Sequence, residues 1–328
     1  MSVHKFYKHP VVVLIFGAII ISFSGVFVKT SQVYPLVSAF YRVFFGCLFL
    51  TCACWVKREF KAKSLKKNLL AILCGLVFSL DLFCWHMSIH YVGPGLATIL
   101  GNCQVFVLAI FGWLVFKERL GTWFVFSIPL AFAGLFMVIG LDMDHLNSDY
   151  LVGVLFGGLT AVCYSVFLLL LRYVQADDQS AKGAGGSVFY YQMVLTASCS
   201  FFLGVAILAS GHSFSIPGTA SLLSLLGLGF FGQAFAWALI SNSLPRIAAS
   251  RAGLILLLQP ALSFFWDVLF FNRQTGIAGW AGVAIVLAAI YLGMTGRTND
   301  KILTNKILTN KTLEKGVDDD VSAGQTLN

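Results

Sequence analysis

Ten apolar blocks, each close to the length of a helix that crosses a bilayer, fill most of this 328-residue chain. They run 11–29, 35–56, 68–91, 95–116, 121–141, 151–171, 187–209, 219–243, 248–271 and 276–295. About 20 apolar residues in helical form cover roughly 30 Å of hydrocarbon, and a helix satisfies its own backbone polar groups there. The sequence therefore predicts an all-α integral membrane protein with ten transmembrane helices. Composition supports this: 58% of residues are hydrophobic, 11% are charged and the mean hydropathy is +0.85, whereas about a quarter of a soluble domain is charged.

Lys5 and Lys8 ahead of the first block, with Ser22 and Ser24 further on, have the outline of a signal peptide. The apolar stretch is too long for that and further blocks follow at once, so it is read as the first transmembrane helix. With the N-terminus inside, 19 cations fall on the cytoplasmic side and only Lys29 and Arg273 outside, with Arg42 inside a block. Such an asymmetry orients a protein by the positive-inside rule. The expectation is a multi-pass protein of a bacterial-type inner membrane with both termini cytoplasmic.

The net charge of +8 then belongs to topology, and no basic face with interleaved aromatics is left for nucleic acid. The eight cysteines all lie inside apolar blocks and read as small hydrophobes, without metal spacing. No cofactor and no metal are expected.

An acidic stretch with Asp142, Asp144 and Asp149 divides the chain into two sets of five blocks. Five crossings are odd in number, so the second set is inverted relative to the first. The organisation expected is a cytoplasmic N-terminus at 1–10, a first five-helix repeat at 11–141, a periplasmic linker at 142–150, a second five-helix repeat at 151–295 and a disordered cytoplasmic tail at 296–328. An offset of 155 lays Ala97 on Ala252, Gln104 on Gln259, Leu114 on Leu269, Phe116 on Phe271 and Gly121 on Gly276. Inverted repeats about a midplane site are a common architecture of secondary transporters.

With these features the chain resembles the EamA family of the drug/metabolite transporter superfamily. The resemblance rests on Pro94 to Leu100 leading to Lys117-Glu118-Arg119-Leu120-Gly121, on Lys29 closing the first helix, on Pro35 to Arg42, and on Gln259-Pro260. It covers residues 10–295 and implies ten helices, cytoplasmic termini, a central cavity and export or exchange of amino acids or other metabolites. Two departures break the symmetry: Arg273 stands where the second repeat would carry the counterpart of Glu118, and Val105 stands opposite Pro260.

Charges inside the blocks are few: Arg42, Asp81 and Asp267. Arg42 lies about 10 Å below the outer end of its helix by rise per residue. Charge at that depth costs at least about 2.5 kcal/mol, so it must face protein or water. Two readings stand: an anchor for a solute carboxylate, which the guanidinium fork matches, or a structural ion pair with Asp81 or Asp267. Asp81 near mid-helix is the proton-coupling candidate, with helix packing as the alternative. His86 and His90, four apart on one face, belong to an outer vestibule, and the 140° between Asp81 and His86 argues against a direct relay.

Gln104 and Gln259 fall near the midplane, about 12–14 Å from helix ends, and with Gln233 they are candidates to line a solute site. Tyr41 and Trp237 would wall it. Asn102, Gln192 and Asn242 are further polar residues in apolar surroundings, where amides line cavities or hydrogen-bond helices together.

The function expected is a secondary active transporter that moves a small polar metabolite by alternating access, with a coupling proton or counter-solute, as a monomer or homodimer in the lipid bilayer. The alternative is a membrane-embedded lipid-modifying enzyme, which would need acidic, His or Arg groups clustered at one interface. A channel would need a filter-like loop, and no ATP-binding loop is present.

Overall fold

The computed structural model describes residues 9–60, 64–139, 148–176, 188–272 and 274–295. The basic N-terminus, most of the acidic linker, Arg273 and the tail from 296 lie outside the described residues.

Among the described residues, nine helices are long and apolar enough to cross a membrane: α1 Pro10–Ser31, α2 Pro35–Lys57, α3 Leu65–Val92, α4 Ala97–Leu114, α6 Tyr150–Ala176, α7 Val188–Ala209, α8 Thr219–Arg246, α9 Ala249–Phe271 and α10 Ile277–Thr295. The tenth, α5, spans Thr122–Ile139 and is equally apolar. Prolines open α1 and α2, where a missing N–H costs nothing and a fixed φ suits the first turn. Helical hydrogen bonding runs unbroken from Leu65 to Asn102, yet the two arms fold back on each other. A Cβ placed on Gly101 would lie 3.8 Å from Trp85 Cδ1, although 16 residues of straight helix span about 24 Å. The chain therefore bends sharply between Trp85 and Gly101.

Packing confirms two repeats. α1 packs on α8, and α6 packs on α3; α2 packs on α8, and α7 on α3. Exchanging the repeats turns the first member of each couple into the second. The remaining large contacts, α2 on α7, α4 on α9 and α5 on α10, each map onto themselves. The α5–α10 seam shows this at atomic scale: a Cβ on Gly134 would sit 2.7 Å from Gly282 O, and one on Gly282 would sit 2.6 Å from Gly134 O. Glycine at both positions lets the two backbones touch, the usual device where lipid removes the hydrophobic drive for helix pairing.

Among the described residues, three helices are interrupted partway along their length. α1 breaks at Phe23 between Pro10–Ser22 and Ser24–Ser31. α4 breaks at Cys103, and α9 at Leu257, 154 residues on. Pro260 accounts for the third, because it has no N–H to return to Leu256 O. α8 holds a π-helical segment at Leu228–Phe235. Interrupted helices inside a bundle expose backbone groups where a cavity can use them.

Candidate functional site

The polar side chains from the apolar blocks converge at these interruptions. In the π segment the Ala236 N–H reaches back five residues to Phe231 O instead of four to Gly232 O. Gly232 O instead accepts a hydrogen bond from Arg42 Nη2 at 3.3 Å, and Arg42 Nε donates to Gln233 Oε1 at 3.1 Å. Gly46, one turn along α2, leaves room for Gln233, whose Cγ would lie 2.5 Å from a Cβ there. Arg42 is thus held by α8 through its backbone and one amide.

Neither ion pair offered as an alternative for Arg42 is formed. Asp267 pairs with Lys29 at 2.7 Å, and the Asp81 Oδ1 atom is buried with no hydrogen-bond partner among the described residues. Asp81, Tyr164 and Cys199 lie within electrostatic reach of Arg42, and the Gln259 side chain lies near the Tyr164 hydroxyl. Six helices, α2, α3, α6, α7, α8 and α9, therefore meet around one cation. On α4, Gln104 is 1% exposed and its carbonyl accepts from Ser165 Oγ at 3.3 Å, beside Tyr164.

Trp237 is 1% exposed and lies against Phe78, Phe167 and Tyr164, with ring centroids at 5.7, 5.0 and 6.3 Å. Its backbone carbonyl accepts from Gln192 Nε2 at 3.1 Å. Five polar atoms in this region, Asp81 Oδ1, Gln104 Oε1, Gln192 Oε1, Gln233 Nε2 and Trp237 Nε1, are buried without a hydrogen-bond partner among the described residues. Each such group costs about 1–3 kcal/mol when left dry. Water or a solute at the centre would supply the missing partners.

The other candidates fall elsewhere. Tyr41 donates to Phe214 O at 2.6 Å, which ties α2 to the segment before α8. His86 Nδ1 lies 2.6 Å from Leu82 O, and the ring also meets the backbone of Pro35, whereas His90 is exposed beside Tyr91. The two histidines do not act as a pair, and no group of three or more metal-binding side chains occurs among the described residues. Asn102 bonds back to Thr98 O, and Asn242 accepts from Arg246. Tyr164 is the residue that sequence reasoning passed over, because a tyrosine in an apolar helix usually packs or marks an interface.

The fold and this cluster define a class: an inverted-repeat helical membrane protein with a buried polar centre at its helix breaks. The chain belongs to the EamA-like transporter family, whose model matches residues 9–140 and 151–295, one match per repeat. It is 21% identical over 259 residues to a protein of Bacillus subtilis (strain 168) described as an uncharacterized transporter, YwfM, covering 78% of this chain and 83% of that one. A solved crystal structure superposes with a TM-score of 0.75 at 14% identity, over 87% of this chain and 98% of the other, and shows the same fold. Family and relative both point to transport rather than catalysis.

Proposed function

We propose that the chain is a secondary carrier that moves a small polar metabolite, an amino acid or related compound, across the inner membrane by alternating access. The supporting observation is the set of five unpartnered buried polar atoms around Arg42 and Trp237. Arg42 supplies the cation for a solute carboxylate, and Gln104, Gln233 and Gln259 supply amide groups around it. Asp81 is the acceptor for a coupling proton, and Trp237 with Tyr164 forms an aromatic wall. Tyr41 and His86 shape the approach from the face opposite the termini. Export or exchange is the direction in keeping with the family, and a cytoplasmic location of both termini follows from the distribution of cations.

The test is uptake of a radiolabelled metabolite panel into proteoliposomes, with and without a pH gradient. Saturable counterflow of at least one carboxylate-bearing solute is expected. No solute moving faster than in empty liposomes would refute the reading.

A further inference from the structure

Exchange of the repeats also relates two clusters at opposite ends of the bundle. Lys29, at the end of α1, lies over the Phe271 ring at 4.8 Å to the centroid. Arg172, at the end of α6, lies over the Phe116 ring at 5.0 Å. Phe116 and Phe271 are 155 residues apart, the offset of the repeat itself. The residues that follow them, Lys117 and Asn272, both adopt left-handed backbone, with φ of 54° and 49°. On each face, then, the cation that closes the first helix of one repeat covers the aromatic ring that ends the fourth helix of the other.

The two clusters are unequal. On the face that carries the termini, the Glu118 carboxylate is 6% exposed and accepts from Ala249 N at 2.8 Å, Ser250 N at 3.2 Å and Ser250 Oγ at 2.7 Å. Arg172 is 7% exposed and lies within electrostatic reach of Glu118 without an ion pair to it, and its Nη1 atom is buried with no hydrogen-bond partner among the described residues. Gly112 leaves the space, since a Cβ there would lie 2.5 Å from Glu118 Oε2. On the opposite face the carboxylate comes from Asp267, in a pair with Lys29 whose side chains are 21% and 50% exposed.

The sequence rules out a copy of the Glu118 clasp on that face. The residues 155 positions before Ala249 and Ser250 are Pro94, which has no N–H, and Gly95, which has no hydroxyl; the residue 155 after Glu118 is Arg273, which accepts nothing. All three residues that form the buried clasp are altered together in the other half, where only the Gly95 backbone N–H remains of its four hydrogen-bonding groups.

We propose that these clusters are the two gates of the transport cycle, with Glu118, bonded to the start of α9 beside the Arg172–Phe116 stack, latching the face that carries the termini and Lys29 and Asp267 forming a weaker gate on the other. The proposal rests on the carrier reading above. A buried carboxylate with three hydrogen bonds holds far more strongly than a half-exposed ion pair. The resting protein is therefore closed at the termini face and opens first on the opposite face.

Paired spin labels on noncanonical residues, which leave the native cysteines in place, would test this. One pair sits at Val115 and Tyr173, exposed on the termini face; the other at Phe270 and Thr30, exposed on the opposite face. Glu118→Gln is expected to raise the ratio of open to closed molecules at the termini face by about tenfold, the loss of a single charge-assisted bond, and to shorten the Phe270–Thr30 distances in the same sample. Lys29→Gln, at a half-exposed site that folding tolerates, is expected to lengthen Phe270–Thr30 and narrow Val115–Tyr173. Reciprocity is the decisive readout: broadening at the altered face alone, or no movement in either variant, would make these groups plain helix caps and overturn the proposal. Counterflow by the unaltered protein is measured in the same liposomes. Reciprocal distances without any counterflow would uphold the gates and remove only the carrier reading.

Discussion

Replacing Arg42 by glutamine and by lysine separates the role of its charge from that of its shape. Of the five guanidinium N–H donors, two are engaged, by Gln233 Oε1 and Gly232 O, which leaves three available. That remainder matches a carboxylate taken in by two parallel bonds. Glutamine keeps an amide but removes the charge, and truncating one partner of a buried charged pair costs about 2–5 kcal/mol. At about 1.36 kcal/mol per decade, apparent affinity for a carboxylate solute should fall roughly 30-fold to several-thousand-fold. Lysine restores the charge without the fork and should recover only part of this. Equilibrium binding or counterflow half-saturation in proteoliposomes reads both, alongside thermal stability in detergent. Arg42→Gln protein that folds and binds carboxylate solutes with unchanged affinity would refute the anchor role.

Asp81→Asn should abolish dependence of transport on a pH gradient while leaving thermal stability equal or higher, since it removes a titratable group from a buried site; unaltered pH-gradient dependence would exclude Asp81 as the proton site. Gly134→Val places branched atoms where Gly282 O lies 2.7 Å from a Cβ and should destabilise the α5–α10 seam by at least about 1–3 kcal/mol, read as a lower melting temperature. Trp266→Phe removes the hydrogen bond from Nε1 to Ser22 Oγ at 2.8 Å but keeps the stack on Phe23 at 4.0 Å, so a loss of only about 1 kcal/mol is expected. Lys117→Gly relieves a left-handed backbone at φ 54° and should stabilise by up to about 1 kcal/mol.

The number of helices, the repeat and most of their limits were legible because hydrocarbon imposes a length and an apolar alphabet on every crossing. Pro260, which lacks an N–H, was the one local signal compatible with the break in α9, although the span 248–271 was expected to be continuous. Its counterpart at Cys103 has no proline and no such signal; it follows only from the repeat. The π segment in α8 was illegible, since Leu228–Phe235 is an apolar stretch like any other, and it is this register change that leaves Gly232 O to Arg42.

Sequence placed Arg42, Asp81 and Asp267 in one apolar setting and left their pairing open. Tertiary geometry decided it, by bringing Lys29 to Asp267 and amides to Arg42. Likewise Glu118 was readable as a motif, whereas its capping of α9 depends on a contact across 131 residues.

The central claim is that two five-helix halves face opposite ways around a shared polar centre. Sidedness reporters fused at the N-terminus, within 142–147 and at the C-terminus measure it directly in cells. The two ends should report the cytoplasm and the linker the other side. A linker reporter on the same side as both ends would contradict the inverted halves, and with them alternating access.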